Sequence, residues 1–166
     1  MVCEVFEQCR KNPQNQYQNC KNCRQINSNS VVVCSEKKSR YALQNPNHVS
    51  ITIFHVDGGV VRDEECCRKC DYIYDISMPL KSIAIFIELK GKHLVDALEQ
   101  IENSVKLFMP TFKKTIILGR IICSSVPNIV NDPKSVQLGK KLKALKVDMK
   151  IGEKNMEESL VSLSSN

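Results

Sequence analysis

Hydrophobic residues along this chain follow two periods, and the change from one to the other predicts the fold. Residues 49–56 alternate around Ile51, Ile53 and His55 and are rich in β-branched side chains, which predicts a strand. Asp57-Gly58-Gly59 closes it with turn chemistry. The run Asp71-Tyr72-Ile73-Tyr74-Asp75-Ile76 predicts a second strand, and a turn follows around Pro79. Residues 83–87 are apolar on both faces, as in a covered central strand, which continues through Glu88 and Lys90 to Gly91. From Lys92 the period becomes helical. Leu94, Ala97, Leu98, Ile101, Val105 and Phe108 form one apolar stripe, and Met109-Pro110 stops it. Residues 115–123 predict another long strand, 135–145 a short basic helix, and 147–151 a last strand. The order strand, strand, strand, helix, strand, helix, strand predicts an α/β fold, with a mixed central sheet flanked by helices.

The flanks carry weaker patterns. Residues 1–30 are polar and rich in Asn and Gln, with room for a short helix over 2–10 and an irregular segment bearing Cys20 and Cys23. Residues 31–34 are a short apolar run, and the basic stretch 35–43 is expected to be helical. The segment from Gly152 onward is polar and expected to fray. The expected organisation is a polar cysteine-containing segment over 1–30, one α/β domain over 31–151, and a flexible tail over 152–166.

Composition narrows the class. A length of 166 residues suits one domain. A formal charge of +6 favours an anionic partner, although the same excess occurs in proteins that bind no nucleic acid. Tryptophan is absent and aromatics make up 5%, which argues against a base-stacking platform. The first residues include Glu4 and Glu7 where a secretion signal would be basic and then apolar. No apolar run approaches the roughly 18 to 20 residues that cross a bilayer. Nine cysteines, an odd number without a secretion signal, point to a reducing compartment. A soluble cytoplasmic protein with no membrane association is expected.

Candidate chemistry gathers at the end of the central strand. Glu88 and Lys90 are two residues apart and therefore share a face. If the strands around residues 71–76 and 83–90 form a hairpin centred between Pro79 and Leu80, Asp71 lies opposite Glu88. Opposed residues have Cβ atoms about 4.5–5.5 Å apart. Two such carboxylates repel unless a cation lies between them. Mg²⁺ or Mn²⁺ fits, because Mg²⁺ takes one or two carboxylates and keeps several waters. The Leu89 backbone carbonyl is available as a further ligand, and Lys90 is placed to orient a water or offset phosphorane charge. Taken alone, Glu-x-Lys is common and equally describes a strand end in solvent.

The segments Cys70-Asp71-Tyr72-Ile73-Tyr74-Asp75 and Ile85-Phe86-Ile87-Glu88-Leu89-Lys90-Gly91 resemble the PD-(D/E)xK nuclease superfamily, the restriction-endonuclease-like fold. The resemblance implies metal binding by Asp71 and Glu88 and assistance of the attacking water by Lys90. Gln100, in Ala97-Leu98-Glu99-Gln100-Ile101, resembles the glutamine that some branches carry on the following helix, near the metal. Val56-Asp57-Gly58 is similar to uncharacterised small bacterial members. Two departures stand out. Cys70 replaces the proline before the aspartate, and the acidic residue often supplied by the first helix has only Glu36, then Glu7, as candidates. The likeness covers about half of the chain, from residue 49 to 122.

Other features carry readings of their own. Cys20-x-x-Cys23 and Cys67-x-x-Cys70 offer four thiolates at zinc-site spacing, although buried cysteines serve as small apolar residues just as well. Lysines 134, 140, 141, 143, 146 and 150 suit either a phosphate track or a solvated helix face. His93, just beyond Lys90, is within reach of a substrate there or is a surface residue. The leading expectation is a nuclease acting on DNA or RNA with Mg²⁺ or Mn²⁺, as a homodimer or as a subunit of a larger system. The alternative is a non-catalytic nucleic-acid- or protein-binding module on the same fold, stabilised by zinc.

Overall fold

The computed structural model describes Phe6 and residues 23–61, 68–90, 93–125 and 132–165. Its strands are β1 (Arg24–Asn27), β2 (Val31–Glu36), β3 (Ser39–Gln44), β4 (Ile51–His55), β5 (Tyr72–Ser77), β6 (Ser82–Lys90), β7 (Thr115–Cys123), β8 (Asp148–Glu153) and β9 (Asn155–Ser159). The helices are α1 (Leu94–Phe108), α2 (Pro133–Ala144) and α3 (Leu160–Ser165). This is a mixed α/β architecture, as the hydrophobic periods predict.

β6 sits inside a six-stranded sheet of order β1-β4-β5-β6-β7-β8. β4, β5 and β6 form an antiparallel meander, whereas β7 pairs parallel to β6 and β8 parallel to β7. The parallel pairs need crossovers, which α1 and α2 supply. Alternate β6 side chains enter different cores. Ala84 and Phe86 pack with Ala97, Leu98, Ile101 and Val105 of α1. Ile83, Ile85, Ile87 and Leu89 pack with Val32, Tyr41 and Leu43 of a second sheet. Every residue from Ile83 to Leu89 is buried. Each isoleucine, leucine and phenylalanine in that run contributes roughly 1.5–3 kcal/mol by leaving water.

The second sheet has the order β2-β3-β9 and corrects two expectations. The basic stretch 35–43 is no helix. It closes the antiparallel β2–β3 hairpin, with Val32, Cys34, Tyr41 and Leu43 turned into the core at a period of two. Residues 152–166 are likewise no simple tail, since they carry the end of β8, all of β9 and α3. The polar segment 1–30 also contributes to the main sheet, where β1 pairs antiparallel with β4. Of the helix expected over 2–10, only Phe6 lies among the described residues, packed against Phe54 and Phe108.

A buried charge cluster explains why the carboxyl-terminal strand returns to the core. Arg120 of β7 is fully buried and donates from Nε to Glu158 Oε2 of β9 at 2.6 Å. Its Nη1 donates to the Asp148 carbonyl at 2.7 Å, and Tyr41 Oη donates to the same Glu158 oxygen at 3.1 Å. Lys150 completes the cluster at 2.6 Å from Glu158 Oε1. Without β9, Arg120 would be a buried cation left with only the exposed Asp148 carboxylate, 3.2 Å from its Nη2. No helix among the described residues is long and apolar enough to cross a membrane.

Arg120→Ala should therefore destabilise the protein by about 3–5 kcal/mol, the range for breaking a buried pair from one side. The urea midpoint measures this, and an unchanged midpoint would refute the role. Burial alone would raise the Glu158 pKa, but hydrogen bonds from Arg120 and Lys150 outweigh it and hold the carboxyl below its ordinary value. The stability that Glu158 confers is thus present above its unfolded pKa and lost as pH falls through the lower folded one.

Candidate active site

The site arises where β6 runs out of core. The β5–β6 register pairs Tyr72 with Ile87 and Ser77 with Ser82, so the hairpin is centred between Pro79 and Leu80. That is the symmetry expected from sequence. Asp71 lies one residue beyond the ladder, and its N–H donates to the Ile87 carbonyl at 3.1 Å while its own carbonyl accepts from Val56 at 2.8 Å. Its side chain turns toward β6, where Oδ2 accepts the Leu89 N–H at 2.7 Å. In a strand the N–H and C=O of one residue face the same neighbour, so the Leu89 carbonyl is also directed to the Asp71 side.

Glu88 is the most confined polar group here. Its side chain is 1% exposed, and Oε1 lies 3.3 Å from Lys90 Nζ. Its other oxygen, Oε2, has no hydrogen-bond partner among the described residues. A buried carboxylate oxygen left in that condition is costly, and a proton or a cation would relieve it. Burial, then the Asp71 charge, pushes the Glu88 pKa up to about 8 against the pull of Lys90. Asp71 rises to about 6, mainly through burial, with the Leu89 hydrogen bond opposing. The two carboxyls share one environment and compete for protons.

Lys90 is held from the helix side. Its ammonium donates to Gln100 Oε1, and Gln100 Nε2 donates to the Lys69 carbonyl at 2.9 Å. One buried amide thus joins α1 to the end of β6 and to the chain entering β5. Four residues along α1, Ser104 Oγ accepts the Cys70 N–H at 2.8 Å and donates to the Gln100 carbonyl at 2.8 Å. Ser104 was not expected from sequence. Its signal is a small polar residue within the apolar stripe, on the helix face that also bears Gln100.

The carboxylates, Lys90 and Gln100 line a cleft of about 610 Å³. Besides Asp71, Glu88, Leu89, Lys90 and Gln100, it is bounded by His93 at the start of α1 and by Glu36 on the β2–β3 hairpin. Glu36 therefore reaches the site as expected, but from a strand end and not from a helix. Asp57 also reaches the cleft, through a turn in which Gly58 has φ +72° and a Cβ on Gly59 would lie 2.2 Å from the His55 carbonyl oxygen. Asp75 does not line it and pairs instead with Ala84.

The two metal expectations rest on different donors. No group of three or more His, Cys, Asp or Glu that could hold a metal occurs among the described residues. A Mg²⁺ site needs only one or two carboxylates, and the unpartnered Glu88 oxygen beside Asp71 fits that requirement. For zinc, Cys23 and Cys70 are buried in the helix-side core, while Cys20 and Cys67 lie outside the described residues. No family model, curated protein or solved structure matches this chain.

Two outcomes follow from the geometry. Since Glu88 binds its proton more tightly when folded, stability should fall as pH rises from about 4.5 to about 8. Glu88→Gln should flatten that profile and raise Tm at the alkaline end, and Mg²⁺ should raise the Tm of wild type but not of the variant. Ser104→Ala should cost about 1–3 kcal/mol in denaturant unfolding, because it strands the buried Cys70 N–H. A Tm profile unaffected by Glu88→Gln, or a neutral Ser104→Ala, would contradict these assignments.

Proposed function

We propose that this chain is a metal-dependent nuclease-type protein that hydrolyses phosphodiester bonds in DNA or RNA. The observation that carries the reading is the meeting of Asp71, Glu88 and Lys90 in one cleft, with Glu88 Oε2 buried and unpartnered among the described residues. The antiparallel meander followed by α1 and the parallel strand β7 supports the restriction-endonuclease-like core that the sequence resemblance implies. Soluble cytoplasmic action, as a homodimer or as part of a larger system, belongs to the same reading.

In this reading Asp71 and Glu88, with the Leu89 carbonyl, hold Mg²⁺ or Mn²⁺. The bound ion would supply Lewis acidity and lower the pKa of a water. Lys90 does the work that the chain itself contributes. Its ammonium, fixed between Glu88 and Gln100, orients the nucleophilic water and offsets charge on the phosphorane. Gln100 touches no reacting atom here and acts as a positioning residue, since it holds Lys90 on one side and the Lys69 carbonyl on the other.

The test is cleavage of single-stranded, double-stranded and branched DNA and of RNA with Mg²⁺ or Mn²⁺. Lys90→Ala and Glu88→Ala should each lower the rate by about 100-fold or more, the scale for loss of one electrostatic stabiliser. No cleavage by wild type, or equal cleavage by all three proteins, rejects the reading. Binding without cleavage would mark a non-catalytic module on the same fold.

A further inference from the structure

The β2–β3 hairpin turn, Glu36-Lys37-Lys38-Ser39, forms a wall of the cleft. Ser39 Oγ donates to the Lys90 carbonyl at 3.1 Å, which fastens the turn to the end of β6. Lys37 adopts φ +52°, a left-handed conformation in which glycine or asparagine carries less strain than lysine. Its side chain is 86% exposed, and its ammonium lies 3.5 Å from Glu36 Oε1, a solvent-exposed pair that holds it weakly. Local stability therefore does not account for lysine at this position, whereas a cation at the cleft mouth does.

Glu88 lies deep and is nearly inaccessible, while Lys37 and Lys38 stand on the hairpin rim with the exposed Glu36 beside them, a net positive turn. At about 610 Å³ the cleft is within the roughly 300–1,000 Å³ range that encloses a small molecule, so it admits a nucleotide-sized portion of a chain. A single strand can place one nucleotide in such a volume with its neighbours along the rim, so the occupant is taken to be a single strand. The low aromatic content leaves phosphates, not stacked bases, as the handle.

We propose that the β2–β3 turn is the substrate-binding wall, with Lys37 and Lys38 gripping the phosphates of a single nucleic-acid strand next to the one at Glu88. This rests on the nuclease reading for the identity of the ligand, but the contact itself is read by binding alone. Fluorescence anisotropy of a labelled oligothymidylate and of a blunt duplex of equal length, against KCl concentration with Ca²⁺ present, tests it.

Wild type should prefer the single strand. Lys37→Ala/Lys38→Ala should lose roughly tenfold or more in affinity, and its salt slope should shrink by about 1.4, at about 0.7 per phosphate contact. The exposed pair Lys140→Ala/Lys143→Ala on α2, outside the cleft, should stay within about twofold of wild type. Lys37→Gly should keep or raise Tm while losing affinity, which separates binding from folding. Absence of binding by wild type, preference for duplex, equal losses from both lysine pairs, or full affinity in Lys37→Gly would each overturn the proposal. A chain that binds in this way yet cuts nothing retains the hairpin contact and loses the nuclease reading. One that cuts while the hairpin variants bind normally does the reverse.

Discussion

The whole arrangement depends on a strand that is buried on both faces and ends in charge. From Ile83 to Leu89, β6 offers water nothing, because α1 covers one face and the small sheet covers the other. Glu88 belongs to that buried run, so its carboxyl is desolvated before any partner is considered. The hairpin register then brings a second acidic residue, Asp71, alongside it. Two carboxyls in a place that disfavours ionisation make a site with an appetite for protons or cations.

Holding such a site costs stability, and the neighbouring structure offsets that cost. Gln100 and Ser104 replace apolar residues on the core face of α1 with groups that bind the backbone at Lys69 and Cys70 and the ammonium of Lys90. Their hydrogen bonds fix the chain just before Asp71, which sets the direction of its carboxyl. The polar interruption of an otherwise apolar stripe is thus what converts a packing helix into one wall of a site. The carboxyl pKa values at the cleft are raised by burial and by repulsion from nearby carboxylates, in spite of Lys90, which is the opposite of what cation pairing does to Glu158.

The opposite wall depends on a remote part of the chain. β3 lies between β2 and β9, and β9 is tied to the main sheet through Glu158 and the buried Arg120. The carboxyl-terminal segment thereby supports the hairpin whose turn borders the cleft. Charge pairing far from the site and access to the site are two aspects of one packing arrangement.

Hydrophobic patterning alone determined the elements from β4 to β8, because α1 repeats at 3.6 residues and the doubly covered β6 is a continuous apolar run. The chain also disclosed the centre of the β5–β6 hairpin between Pro79 and Leu80; the ladder ends at Tyr72 and Ile87, and Asp71 joins Glu88 in the cleft one residue beyond it. Residues 35–43 read as helical because lysines at a turn resemble a basic helix face, until Tyr41 and Leu43 are seen to share a core with Val32. Residues 152–166 read as a tail because their stabilising partner, Arg120, is dozens of residues away and pairs with Glu158 only in three dimensions. Ser104 and the entry of Asp57 into the cleft were decided by tertiary structure for the same reason, as was the strand end from which Glu36 reaches it: local sequence records which residues can bury, whereas packing decides which polar groups come together.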